Sequence, residues 1–142
     1  MLVSFVLREG GFGVYKQFEE LITLFINQNQ IQVSQLTQVV SNLFSANIGS
    51  TQLQLLIEND LIKKYSSVEK GSFLNLLKGF VNYDVKSQVL NSFLERSAFD
   101  YLENFSEKEL GLTAWYFTRS QRCSKDFYKA LIKRIEKKTP TL

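Results

Sequence analysis

A spacing of 37 residues runs through most of this chain and restricts the folds that it can adopt. Apolar residues fall into columns at that spacing. The clearest columns are Leu36/Phe73/Leu110, Val40/Leu77/Ala114, Leu43/Phe80/Phe117, Leu53/Leu90/Phe127 and Ile57/Leu94/Leu131. In a chain that is 44% apolar, about three such columns are expected by chance and roughly eight occur. A repeat of this length is typical of stacked helical hairpins, so the sequence predicts an all-α, right-handed α-solenoid. The alternative is an ordinary helical bundle.

Serines mark where the predicted helices begin. Ser50, Ser87 and Ser124 form one column at the same spacing, at the start of the second helix of each hairpin. Serine is a preferred N-cap because its hydroxyl satisfies a backbone N–H of the first turn. Ser106 and Glu109 have the spacing of a capping box at the start of a first helix. The other predicted helices are 34–46, 50–65, 69–82 and 87–104.

The whole chain, residues 1–142, is predicted to be a single helical-repeat domain. The predicted repeats are 31–67, 68–104 and 105–138, followed by a tail at 139–142. Residues 1–30 read as a partial repeat, in which Val3 and Val6 belong to a first helix and Val14–Phe25 forms the second. Gly10, Gly11 and Gly13 are predicted to form the turn between them. The sequence therefore reads as a partial chain that starts inside a repeat.

The composition argues against catalysis. The chain has no histidine, which removes the commonest general base and metal ligand. Gly10–Gly13 lacks the Lys-Ser/Thr of a phosphate-binding loop, and one cysteine cannot build a zinc site. The acidic pairs, Glu19 with Glu20 and Glu107 with Glu109, lie in first turns of predicted helices, where carboxylates favour the positive end of the dipole. We therefore predict a protein that is not an enzyme and has no cofactor or metal.

Two further features concern the environment of the chain. No apolar stretch reaches the roughly 20 residues that a membrane-spanning helix needs, so no membrane span is predicted. The single cysteine, Cys123, excludes an internal disulfide and suits a reducing compartment.

Positive charge is concentrated at the C-terminal end. The net charge is +3, but residues from Ser106 onward contain nine Lys or Arg and four Asp or Glu, a balance of +5. The residues of this basic end are Arg119, Arg122, Lys125, Lys129, Lys133, Arg134, Lys137 and Lys138. Such a cluster can contact the phosphates of a nucleic acid. The alternative is a solvated terminal helix whose lysines suit its C-terminal dipole.

The last predicted hairpin resembles a known repeat. Residues 105–138 read FSEKELGLTAWYFTRSQRCSKDFYKALIKRIEKK and resemble one unit of the heptatricopeptide and octotricopeptide repeats of organellar proteins. These repeats also occur in the Fas-activated kinase-like mitochondrial proteins. The match is carried by Phe105, Ser106, Leu110, Trp115, Phe117, Phe127, Leu131 and Ile135. The resemblance implies a mitochondrial (alternatively plastid) protein that binds RNA or lies beside it in a larger assembly, such as a mitochondrial ribosome.

If RNA is the partner, two groups of residues are candidate contacts. Arg119, Arg122 and Lys125 are predicted phosphate contacts at the turn of the last hairpin, and Lys129 and Lys133 extend that patch at i, i+4 spacing. Polar columns on first helices give candidate base contacts. These are Arg8, Asn82 and Arg119 in one column and Tyr116, which follows Asn42 and Gly79, in another. The alternative for each is an ordinary solvated helix face.

Trp115 is predicted to be a structural anchor as much as a platform for a ligand, because it neighbours the stripe residues Ala114 and Phe117. Its replacement by alanine would then cost on the order of 3 kcal/mol. The sequence leaves two functions open. One is an organellar RNA-associated repeat protein, and the other is a scaffold or accessory subunit of a respiratory or other organellar complex without RNA contact.

Overall fold

A computed structural model of the chain describes residues 12–65 and 68–138, and the side chains of 16–65 and 68–137. Within these ranges the protein is all-α and contains no strand. The α-helices are α1 (Phe12–Asn27), α2 (Val33–Phe44), α3 (Thr51–Lys64), α4 (Lys70–Phe80), α5 (Gln88–Tyr101), α6 (Glu107–Ser120) and α7 (Lys125–Lys138). A 3₁₀ turn, Leu102–Asn104, follows α5 directly. The prediction of an all-α protein is confirmed.

The helices begin at regular positions. The first residues of α2, α4 and α6 are 33, 70 and 107, and those of α3, α5 and α7 are 51, 88 and 125. Both series advance by 37 residues. The last residues of α1, α3, α5 and α7 (27, 64, 101 and 138) also advance by 37. Below, α2/α3, α4/α5 and α6/α7 are called the first, second and third helix pair.

Side-chain caps explain four of these starts. The Oγ atoms of Ser50, Ser87 and Ser124 accept the N–H three residues later at 3.1, 3.2 and 3.1 Å. Ser106 Oγ accepts from Glu109 N at 3.2 Å, and Glu109 Oε1 accepts from Ser106 N at 2.8 Å, which completes a capping box. The predicted caps are confirmed.

The helices form two layers. Helices α2, α4 and α6 pack side by side in one layer, and α1, α3 and α5 pack in the other. Within each pair the two helices also contact each other, while α7 packs on α6 and on the 3₁₀ turn. The apolar columns at 37-residue spacing fill the core, and only Ala114 among the residues of the five clearest columns is less than fully buried.

A glycine sets the close contact of α2 with α4. A Cβ atom placed on Gly79 would lie 2.4 Å from the carbonyl oxygen of Val40. The backbones can approach this closely only because Gly79 has no side chain.

Glutamate carboxylates connect α1 with α3, α3 with α5 and α5 with α7. Ser87 N donates to Glu58 Oε1 at 2.9 Å, and Ser50 N donates to Glu19 Oε1 at 2.6 Å. Ser124 N likewise donates to Glu95 Oε1. Each of the three N-cap serines is thus held by a glutamate two helices earlier in the chain, at a helix end that favours negative charge.

The N-terminal prediction needs a correction. Helix α1 already begins at Phe12, so Gly13 is helical and does not belong to a turn. The helix can start earlier because a glycine in its first turn adds no steric conflict. Val3, Val6, Arg8, Gly10 and Gly11 lie outside the described residues.

Candidate nucleic-acid interface

The connection between α6 and α7 places the predicted basic residues. Helix α6 ends where Gln121 takes a left-handed conformation (φ 55°) and its N–H bonds to the Phe117 carbonyl. Ser124 then caps α7. This short connection brings Arg119, in the last turn of α6, and Lys125, the first residue of α7, to its two sides, and both side chains are exposed.

Arg122, within this connection, makes an ion pair and a hydrogen bond with the connection of the second pair. Its Nη2 lies 2.7 Å from Asp84 Oδ1, and its Nη1 donates to the Val85 carbonyl at 2.5 Å. These contacts tie the α6–α7 connection to the α4–α5 connection. Part of the charge of Arg122 is therefore balanced within the protein, which weakens it as a phosphate ligand relative to Arg119 and Lys125.

A cleft of about 280 Å³ lies between the second and third pairs. It is lined by Phe80, Val81, Asn82, Tyr83, Asp84, Tyr116, Arg119 and Ser120, and is called the side cleft below. Asn82 and Arg119 are both exposed here, so the structure brings together two of the predicted contacts. The side cleft offers an amide and a guanidinium to a ligand.

Tyr116 also lines the side cleft, but its side chain is only 2% exposed. It packs edge-on against Phe117, with ring centroids 5.0 Å apart. Burial, followed by the charge of Glu58, raises the pKa of its hydroxyl. The prediction of Tyr116 as a surface base contact is therefore wrong. Its column faces the preceding helix of the layer, as Gly79 in the same column does against Val40.

A second concave surface lies at the outer end of the third pair. It encloses about 400 Å³ and is lined by Phe117, Thr118, Gln121, Cys123, Ser124, Lys125, Tyr128 and Lys129. We call it the end groove. Lys125 and Lys129 are exposed along it, and the exposed Lys133 follows one turn later on α7. The predicted basic set is thus divided between the side cleft and the end groove.

The structure also corrects the prediction for Trp115. Its side chain is 60% exposed, so the prediction of a buried anchor is wrong. The buried stripe of α6 consists of Leu110, Thr113, Tyr116 and Phe117, and Trp115 lies about 100° around the helix from Tyr116 and further from the other three. Replacing Trp115 by alanine should change the stability by under about 0.5 kcal/mol.

One exposed aromatic residue near the basic residues, Tyr128, is not identified from the sequence, whereas Trp115 is identified but expected to be buried. Besides Trp115, Tyr128 on α7 is 44% exposed. The signal that could have found Trp115 is Thr113, because a core stripe through 110, 113 and 117 puts position 115 on the outside. Cys123 is half-buried beside Tyr128 in the end groove, and burial raises the pKa of its thiol.

Two other kinds of site are absent from the described ranges. No group of three or more His, Cys, Asp or Glu is arranged to hold a metal ion there. None of the helices there combines the length and the apolar character that crossing a bilayer requires. Comparisons with protein-family models, curated proteins and solved structures find no match for this chain. The resemblance to heptatricopeptide and octotricopeptide repeats therefore stays a prediction from the sequence.

Proposed function

We propose that this protein is a non-enzymatic, organellar RNA-associated helical-repeat protein whose third helix pair contacts RNA phosphates. In this proposal the helix pairs are units of a right-handed α-solenoid with a 37-residue repeat. The location is mitochondrial, with the plastid as the alternative, and a mitochondrial ribosome is one host assembly that fits. The observation that carries the proposal is the exposure of Arg119, Lys125 and Lys129 around one helix connection.

The arrangement of helices supports this proposal. Both layers are built from helices whose starts advance by a constant step, and neighbouring helices in each layer touch. Repeating pairs of this kind present long surfaces to extended partners. The exposed Ser45, Asn82 and Arg119 recur at that step near the ends of α2, α4 and α6. RNA-reading repeat proteins use positions that recur once per unit in this way.

Electrostatics supports it as well. The +5 balance from Ser106 onward lies on α6, α7 and their connection, against −2 for the rest of the chain. Phosphate contacts by lysine and arginine supply most of the sequence-independent affinity for nucleic acids. Lys125 lies at the N-terminus of α7, where the helix dipole also favours an anion.

The test is a charge reversal at Arg119, Lys125 and Lys129, with Arg122 kept because its ion pair with Asp84 is structural. Glutamate at the three positions should abolish RNA association. If residual binding is measurable, the slope of log K against log salt should fall by about two units, since each lost contact removes about 0.7. The control reverses the exposed Lys16, Lys63 and Lys78, which makes the same change in net charge on α1, α3 and α4. Equal RNA affinity of the two triple variants would overturn the proposal.

A second function is a scaffold or accessory subunit of a respiratory or other organellar complex that contacts protein alone. It is favoured by exposed apolar residues on α1, where Leu21, Leu24 and Phe25 are 39%, 47% and 39% exposed. Such a cluster is typical of a protein-binding surface. Crosslinking in an organelle extract separates the two functions. RNA joined to α6 or α7 supports the first, and protein alone joined to α1 supports the second.

A further inference from the structure

The outer face of the third pair occupies positions that are covered in the earlier pairs. In the first pair, Phe44 stacks on Tyr83 with centroids 4.5 Å apart, and Gln54 Nε2 donates to the Asp84 carbonyl at 2.8 Å. Both residues therefore face the second pair and are buried. Thr118 and Tyr128 follow Phe44 and Gln54 by two repeats of 37 residues, and their side chains are exposed in the end groove.

The chemistry of this outer face differs from that of the inner ones. Glu58 and Glu95, which hold the N-cap serines of α5 and α7, are followed at the same spacing by Ile132. The buried Phe44 is followed by Val81 and then Thr118. The outer face thus lacks both the carboxylate and the aromatic ring with which the first pair holds the second. Of these two contacts, the carboxylate is the one that both existing junctions between pairs use, and it is missing from the outer face.

Tyr128, with Lys125 and Lys129 beside it, lies on this face, and Trp115 is exposed on α6 nearby. Trp115 follows Ser41 and Lys78 at the 37-residue spacing, and Tyr128 follows Gln54 and Asn91. Trp115 lies one turn before Thr118 on the same side of α6. The space beside Gly111, one turn earlier again, is open, because a Cβ atom there would meet nothing within 4 Å. Lys125 and Lys129 line the end groove together with Tyr128.

We propose that this outer face binds single-stranded RNA, with bases stacked on Trp115 and Tyr128 and phosphates held by Lys125, Lys129 and Lys133. This inference rests on the proposed function and names the form of RNA and the residues that hold its bases. Stacking on exposed aromatics combined with a cationic groove is how proteins bind single strands without reading sequence. The lysines beside Tyr128 favour a polyanion over an apolar helix as the occupant.

The only tryptophan of the chain makes this inference directly measurable. Titration with a uridine oligomer of about ten nucleotides should quench the fluorescence of Trp115 in a saturable way. A duplex RNA of the same length should quench it far less, because paired bases cannot stack on a side chain. Trp115→Ala and Tyr128→Ala should each weaken binding by about tenfold, and Trp115→Phe should retain most of the affinity.

Leu55→Ala is the matched control, since Leu55 is an exposed apolar residue of α3 (44%) outside the end groove. It should bind the oligomer as the unchanged protein does. RNA binding that is salt-dependent but unaffected by Trp115→Ala would overturn the stacking inference and leave the proposed function intact. Absence of RNA binding altogether would overturn both. A third outcome is that sedimentation shows self-association which Trp115→Ala abolishes, and that no RNA binds to this face. The face would then bind protein, which would also overturn the inference.

Discussion

At the scale of single residues, two glycines of the first layer illustrate opposite requirements. Gly79 lies in α4 against the backbone of Val40, and a Cβ atom there would come within 2.5 Å of the Val40 side chain as well. Gly111 lies in α6 with open space beside it. Both are helical, so they share the intrinsic cost of glycine in a helix and differ only in what surrounds them.

We therefore expect opposite effects from the same substitution. Gly79→Ala should destabilise the protein by about 1–3 kcal/mol, because α2 and α4 must move apart. Gly111→Ala should stabilise it by about 0.5–1 kcal/mol through helix propensity alone. Urea unfolding followed by circular dichroism measures both. A Gly79→Ala variant as stable as Gly111→Ala would show that the contact of α2 with α4 is looser than the structure has it.

Neighbouring residues also show where prediction from the sequence fails. Trp115 was expected inside and Tyr116 at the surface, and the structure reverses both. The apolar stripe through Leu110, Ala114 and Phe117 is narrow, and the buried face of the helix could extend from it on either side. One side would bury Trp115 and the other would bury Tyr116. The choice between them depends on where α4 lies, and its contact with α6 in the same layer is tertiary information.

At the scale of helices, the sequence was a better guide because caps are local. The serine hydroxyls act on N–H groups three residues away, so Ser50, Ser87, Ser106 and Ser124 could be assigned from spacing alone. Helix α2 shows the limit of this reasoning. It was expected to begin at about Ser34 and begins at Val33, where Gln35 Oε1 accepts the backbone N–H of Gln32 at 2.9 Å. The glutamates that hold the serines from another helix could not be assigned, since those contacts span about 30 residues.

The capping box of α6 predicts a dependence of stability on pH. The backbone N–H of Ser106, and then Lys70 at 3.1 Å, lower the pKa of the Glu109 carboxyl from its ordinary value of 4.5. A carboxyl whose folded pKa is lowered contributes stability above its unfolded pKa and loses it as the pH falls through the folded pKa. Glu109→Gln should therefore destabilise the protein at pH values well above 4.5 and have progressively less effect below that value.

Chemical unfolding of both proteins at neutral pH and at acidic pH measures this difference directly. The comparison of the two proteins removes the contribution of all other carboxyl groups, which they share. A destabilisation by Glu109→Gln that is the same at both pH values would mean that the ionised carboxylate is no better a cap than the amide.

At the scale of the whole molecule, the contacts run mainly from each helix pair to the next. Helix α4 lies between α2 and α6 in its layer, whereas α7 packs mainly on α6 and the 3₁₀ turn, with a ring contact from Phe127 to Phe99 of α5. In an arrangement with contacts between neighbours, the ends open more readily than the middle. Glu95 is the carboxylate that ties α7 to the second pair through Ser124. Glu58 makes the corresponding contact one pair earlier and is almost fully buried.

Removal of Glu95 should therefore weaken the protection of fewer helices against hydrogen exchange than removal of Glu58. Glu95→Ala should speed amide hydrogen exchange in α7 by about tenfold or more, the effect of losing one hydrogen bond to a charged group, while α2 and α4 keep their protection. Glu58→Ala should speed exchange through α5, α6 and α7, because it loosens the contact on which the third pair depends. Hydrogen exchange followed by mass spectrometry resolves these segments. If Glu95→Ala speeds exchange equally in every helix, the protein opens as one cooperative unit, and the neighbour-to-neighbour description of its stability is wrong.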